Sequence, residues 1–280
     1  MILYLQVGHL SADCNYKIFI MDIFQVFFLS FLQGIVEFLP ISSSGHLIIF
    51  PAIFGWKDQG LIFDIAVHLG SLIAVLVYFN RELYSMFFGF FNNNNQDKKI
   101  LINIIISSIP LGLAGLLFGN IIENNLRFPL LIASSTAFFG LILWLSDCFG
   151  KRNVNGLNIS WKIALLIGLG QAIALIPGTS RSGITIAFAL IFGMNRANAV
   201  KFSFLLSIPA IGMAVVWQLI NISSQGVSVP WNMFFLSGAI SGLTAYIVIH
   251  FFLRFIERIS MLFFAIYRLI LASLIFFIFI

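Results

Sequence analysis

A helix needs about 20 predominantly apolar residues to cross the hydrocarbon core of a bilayer. Such stretches recur along this chain at about 61–79, 100–119, 129–147, 203–220, 232–252 and 261–280. Two further apolar stretches, about 23–50 and 163–194, are too long for one span and are broken near their middles by Pro, Gly and Ser. Non-helical backbone at membrane depth is tolerated only where it is buried in protein or lines a cavity. The pattern therefore predicts an all-α polytopic membrane protein. It has two halves, each made of one re-entrant helix–turn–helix hairpin and three transmembrane helices. The first half runs from 21 to 147 and the second from 160 to 280.

Composition agrees and narrows the class. Only 9% of the residues are charged and 60% are hydrophobic, whereas a soluble domain carries about 25% charge. No sizeable soluble domain fits, and nucleic acid is not an expected partner. Cys14 and Cys148 form neither a disulfide framework nor a Cys-x-x-Cys metal site. Residues 1–20 are less apolar and precede a second methionine, Met21, so an N-terminal extension and a start at Met21 both fit.

The basic residues fix a topology. If the first hairpin opens on one side and the second on the other, ten basic residues share a side: Arg81, Lys98, Lys99, Lys151, Arg152, Lys162, Arg196, Lys201, Arg254 and Arg258. Only Lys17, Lys57 and Arg127 face the opposite side. The positive-inside rule makes the richer side cytoplasmic. The 80–99, 148–162 and 253–260 loops, with the Asn92 to Asn95 run in the first, then face the cytoplasm.

The two broken stretches match each other. Sliding the first by 138 positions brings Gln33 onto Gln171, Ser42 onto Ser180, Ser44 onto Ser182 and Gly45 onto Gly183, with Ser43 opposite Arg181. Polar groups at membrane depth are costly and default to a functional reading. Paired breaks in corresponding segments point to a binding site between inverted halves.

Gln33 and Glu37 are four apart and share a helix face. Pro40 ends that helix, Ser42, Ser43 and Ser44 fall in the turn, and His46 opens the returning helix. The second break, Gly178-Thr179-Ser180-Arg181-Ser182, offers backbone N–H groups, hydroxyls and a guanidinium. Helix N-termini bind anions and arginine grips phosphate oxygens in a bidentate fork. Arg181 needs an anionic partner: Glu37, a phosphate, or both in turn. His68, on one face with Asp64, and Arg268, within the last span, read more simply as polar contacts. No cluster resembles a dedicated metal cage, but Mg²⁺ often binds through one or two carboxylates plus phosphates, so Glu37 can hold a cation through a diphosphate. No organic cofactor is expected.

These motifs resemble the bacterial undecaprenyl-diphosphatase family, also called the bacitracin-resistance family. The stretch from Gln33 to His46 is similar to its (Glu/Gln)-x-x-x-Glu motif and the following Phe-Leu-Pro-x-Ser-Ser-(Ser/Thr)-Gly-His, and Pro177 to Gly183 to its Pro-Gly-x-Ser-Arg-Ser-Gly. The resemblance covers about Met21 to Ile280. It implies hydrolysis of undecaprenyl diphosphate to undecaprenyl phosphate at the inner membrane, with the site open to the periplasm. This step recycles the lipid carrier for peptidoglycan. The resemblance further implies help from a divalent cation, Mg²⁺ or Ca²⁺, and allows a homodimer among membrane lipids. The expected catalytic residues are Glu37, Ser43, His46 and Arg181, with Gln33, Ser42, Ser44, Gly178, Thr179, Ser180 and Ser182 binding substrate. The resemblance favours Ser43 as nucleophile; spacing alone does not separate it from Ser42 or Ser44, and His46 as phosphoryl acceptor stays open. A lipid-phosphate transporter is the competing reading, since inverted repeats with midplane breaks mark transporters. A histidine-nucleophile lipid phosphatase is not: position 254, four after His250, is Arg254 rather than Asp.

Overall fold

The computed structural model describes residues 22–56, 59–91, 95–126, 128–154, 156–223 and 229–279. The 1–20 stretch, Met21, Lys57, Arg127 and residues 92–94 lie outside these. Among the described residues the chain is helical throughout, joined by short turns. Its helices are α1 (Ile23–Val36), α2 (Ser43–Phe54), α3 (Gly60–Tyr78), α4 (Asn80–Phe91), α5 (Asn95–Asn125), α6 (Pro129–Phe149), α7 (Trp161–Ile173), α8 (Arg181–Ile191), α9 (Arg196–Ser223), α10 (Trp231–Phe255) and α11 (Met261–Phe279).

Six of them, α3, α5, α6, α9, α10 and α11, are long and apolar enough to cross a membrane. They coincide with the six spans expected from the sequence. The two broken stretches are the helix pairs α1–α2 and α7–α8, with helices of 11 to 14 residues. At 1.5 Å per residue, none of these four reaches across the roughly 30 Å hydrocarbon core.

The 80–99 stretch differs from the loop expected there, because most of it is helix. Leu83 and Met86 lie three apart and turn inward, while Arg81, Tyr84 and Ser85 stay exposed. That one-sided pattern gives α4 an apolar stripe to bury. Glu82 on α4 also receives Lys201 of α9 at 2.9 Å.

The helices pack in matched couples. α3 lies on α10 as α9 lies on α5, and α1 lies on α10 as α7 lies on α5. Small residues set the approach at the short helices. A Cβ on Gly34 of α1 would sit 2.6 Å from the Ser241 carbonyl oxygen of α10. One on Gly168 of α7 would sit 2.5 Å from the Ser107 carbonyl oxygen of α5. Without a side chain at either position the backbones close directly, the usual device of helices packing in lipid.

One buried carboxylate ties several ends together. Asp147, near the end of α6, accepts two bonds of 2.7 Å from the Arg196 guanidinium at the start of α9, and one of 2.9 Å from Arg152. It also accepts the Met261 amide at the start of α11, at 3.1 Å. The segments flanking α7–α8 meet beside it, where the Val154 amide donates to the Gly193 carbonyl at 2.9 Å. The segments before α7 and after α8 thus lie side by side.

Candidate active site

Both breaks adopt the same local structure. Ser42 has φ 73° and Ser180 has φ 68°, a left-handed conformation that non-glycine residues rarely take. In each turn this serine caps the following helix: Ser42 Oγ accepts the Gly45 amide at 3.4 Å, and Ser180 Oγ accepts the Gly183 amide at 3.2 Å. In each turn its hydroxyl also lies 3.3 Å from the serine two residues on, Ser44 or Ser182. The same strained residue at two places 138 apart in sequence points to a site rather than an accident of folding.

The serine at the third position of each turn grips the other turn. Ser44 Oγ accepts the Gly178 amide at 3.0 Å, and Ser182 Oγ donates to the Leu39 carbonyl at 3.0 Å. The serines at the first and third positions of each turn are thereby engaged. The middle positions, Ser43 and Arg181, make neither the capping bond nor the cross-turn bond. Ser43 has no hydrogen-bond partner for its hydroxyl among the described residues, and Arg181 is its counterpart. The amides of Ser43, Ser44, Arg181 and Ser182 open the helices α2 and α8, where N–H groups lack intrahelical acceptors.

Arg181 Nη2 donates to Glu37 Oε1 at 2.8 Å, with side-chain exposures of 14% and 8%, so the pair is largely out of solvent. Arg181 Nη1 also reaches the Ser203 carbonyl at 3.4 Å. The other Glu37 oxygen accepts Gln33 Nε2 at 2.9 Å. That bond fixes the Gln33 amide, because the reverse orientation would set two oxygens against each other. Gln33 Oε1 is then buried without a partner. His68, which the sequence read as a polar contact, joins this cluster. Its Nδ1 donates to the Asp64 carbonyl at 2.7 Å, and its Nε2 lies 3.2 Å from Gln33 Nε2 and 3.7 Å from Glu37 Oε2.

His46 is placed differently from its neighbours. It is buried, its Nδ1 donates to the Ser42 carbonyl at 2.7 Å, and its Nε2 lies 2.6 Å from the Tyr267 hydroxyl. Both ring nitrogens are occupied. Arg268, the next residue of α11, is fully buried and donates to the carbonyls of Thr136, Gly178 and Thr179. Gly178 takes φ 91°, and a Cβ there would collide with Ser135 Oγ and the Ile132 carbonyl. Only glycine lets this turn press against α6. Ser135 donates to the Pro177 carbonyl, and Thr136 to that of Gly178 at 3.2 Å. Thr179 Oγ1 is buried without a partner.

The structure therefore gathers Gln33, Glu37 and Arg181 in one cluster, and binds the Ser42–Ser44 turn to the Gly178–Ser182 turn. Sequence reasoning read His68 and Arg268 as polar contacts and did not single out Tyr267. Their signal was present as polar side chains inside apolar helices, but only the long-range packing shows which pair with the turns.

These features define a class: a multi-pass membrane protein with a buried carboxylate–guanidinium pair where two broken helix pairs interlock. The chain belongs to the bacitracin resistance protein BacA family, whose pattern it matches over residues 26–274. It is 47% identical over 261 residues to undecaprenyl-diphosphatase 2 of Stutzerimonas stutzeri (strain A1501), covering 90% of this chain and 97% of that protein. It is 45% identical over 264 residues to the undecaprenyl-diphosphatase of Nitrosococcus oceani, covering 92% of this chain and all of that protein. The corresponding protein of Alcanivorax borkumensis is 48% identical over 256 residues.

Proposed function

We propose that this protein is an undecaprenyl-diphosphatase of the bacterial inner membrane. It hydrolyses undecaprenyl diphosphate to undecaprenyl phosphate and inorganic phosphate, recycling the lipid carrier and conferring bacitracin resistance. The observation that carries the site assignment is the division of labour within the turns. Of three consecutive serines, only Ser43 keeps an uncommitted hydroxyl, and its counterpart in the second turn is a cation.

The substrate's diphosphate takes Glu37's place on Arg181, whose fork matches phosphate oxygens. The backbone amides of Ser180 to Ser182 and of Ser42 to Ser44 supply further donors, whereas those of Gly178 and Thr179 are already bonded to Ser44 Oγ and the Ile176 carbonyl. Ser43 Oγ attacks the terminal phosphorus and the anhydride P–O bond breaks, releasing undecaprenyl phosphate. Glu37, freed from Arg181, takes the serine proton. Water then attacks the phosphoserine, the P–O bond to Ser43 breaks, and Ser43 regains a proton. His46 assists through the Tyr267 hydroxyl, the outward end of their hydrogen bond. Its occupied ring nitrogens weigh against a direct phosphoryl transfer to His46.

A divalent cation fits at Glu37. The orphaned, buried Gln33 Oε1 is a hard oxygen donor beside that carboxylate, the donor type Mg²⁺ and Ca²⁺ prefer. Glu37 and Gln33 would hold the ion, which supplies charge neutralisation for the diphosphate.

The inverted-repeat reading, with re-entrant hairpins 23–50 and 163–194 and halves 21–147 and 160–280, is supported by the matched helix couples and the identical turns. The meeting of Val154 with Gly193 supports a hairpin that enters and leaves on one face. That face carries the cytoplasmic charges, so the α1–α2 hairpin opens to the periplasm and admits substrate there.

Purified protein in detergent, where no second compartment exists, should release phosphate from undecaprenyl diphosphate, and Ser43→Ala should lose at least about 100-fold of that rate. Binding without phosphate release would favour the transporter. Full activity of Ser43→Ala would remove the nucleophile assignment alone.

A further inference from the structure

Arg268 is the most deeply buried charged residue among the described residues. Its side chain is fully buried, and no carboxylate pairs with it among the described residues. A guanidinium stays protonated in proteins, so the charge is retained in the interior. Such a charge is costly unless something compensates it. Its compensation in this structure is three backbone carbonyls: Thr136 at 3.0 Å, Gly178 at 3.0 Å and Thr179 at 2.8 Å. A neutral donor could serve carbonyls at lower cost, so the retained charge calls for another reason.

The surroundings show space made for this group. A Cβ on Gly140 of α6 would lie 3.1 Å from Arg268 Cβ and 3.4 Å from Nε. A Cβ on Gly183, in the first turn of α8, would lie 2.8 Å from Nη1. The guanidinium thus fills a slot between two glycines, and its end rests against the start of the helix that carries Arg181. That Nη1 has no hydrogen-bond partner, nor does the buried Thr179 Oγ1 of the same turn. The compensation is incomplete on the side toward the turn.

Two of the three acceptors belong to the turn itself. Peptide C=O and N–H groups point in opposite directions, so the Thr179 carbonyl drawn back onto Arg268 leaves the Ser180 amide of the same peptide facing away from it, while the Thr179 amide bonds to the Ile176 carbonyl within the turn. The neighbouring Tyr267 reaches the first turn through His46. Two consecutive residues of α11 thus fasten both turns.

We propose that Arg268 is a positioning residue of the diphosphate site. It latches the α7–α8 turn by the Gly178 and Thr179 carbonyls and places a second, fixed positive charge behind Arg181. Arg181 exchanges partners during the cycle; Arg268 does not. The fixed charge favours a more highly charged diphosphate over a monophosphate, and so favours substrate over product. This inference rests on the diphosphatase reading.

The test compares inhibition of purified enzyme by inorganic pyrophosphate and by inorganic phosphate. Wild type should prefer pyrophosphate. Arg268→Gln keeps donors but removes the charge; it should raise KM and reduce that preference about tenfold. Arg268→Lys keeps the charge and should restore much of the preference even where kcat stays low. An Arg268→Gln enzyme of normal thermal stability with unchanged KM and preference overturns the proposal. If Arg268→Gln does not fold, Gly140→Ala crowds the side chain from α6, away from both turns. It should raise KM several-fold, and an unchanged KM there also overturns the proposal. Failure of wild type to release phosphate would refute the activity itself, a separate outcome.

Discussion

Glu37 and Arg181 neutralise one another in a largely water-free site, which makes each expensive to leave alone. Removing one partner of a buried pair costs about 3–5 kcal/mol, because the other charge stays uncompensated. A diphosphate can therefore take Arg181 only if Glu37 is stabilised as it is released. Gln33 is placed for this, since it already donates to the second Glu37 oxygen. A proton from Ser43 or a bound cation would complete the exchange. The guanidinium fork matters as much as its charge. Arg181→Lys should fold normally yet lose roughly 100-fold in kcat/KM, the scale of removing one transition-state charge clamp. Steady-state kinetics on the lysine enzyme decides this, and near wild-type turnover would exclude Arg181 from phosphate binding.

Helix ends hold this fold as firmly as helix faces. Asp147 is 3% exposed and serves Arg196, Arg152 and the start of α11 at once. Asp147→Asn leaves two guanidinium groups without their carboxylate. It should destabilise the protein by roughly 3–5 kcal/mol, read as a lower midpoint in thermal unfolding in detergent; an unchanged midpoint would show the network to be dispensable. The six long helices and both breaks were legible in the sequence, because span length and Pro, Gly and Ser at mid-depth are local signals. α4 was not, because the neighbouring asparagines suggested a loop while its apolar stripe is short. Asp147, His68, Tyr267 and Arg268 were not legible as parts of networks either. Each depends on partners far away in sequence, such as the 221 positions between His46 and Tyr267. The serines were found as a group, but their separate duties needed the cross-turn bonds.

For the molecule as a whole, the proposed topology sets Lys151 and Asn232, both exposed, on opposite faces of the membrane. Single cysteines at these positions, with Cys14 and Cys148 first replaced, would report this to an impermeant thiol reagent. In intact, outer-membrane-permeabilised cells, Asn232→Cys should label and Lys151→Cys should not. Labelling of the Lys151 position would reverse the orientation and close the site to the periplasm. The fastening of both turns by α11 also bears on biosynthesis. The ribosome delivers the two turns well before the helix that carries Tyr267 and Arg268. Until that helix docks, the Gly178 and Thr179 carbonyls lack their arginine partner, and buried backbone groups rarely stay unpaired. Competence is thus conferred last. A nascent chain can insert most of its helices in lipid while its phosphate site remains unformed, and a polypeptide stopped short of α11 would be a membrane protein without an enzyme in it.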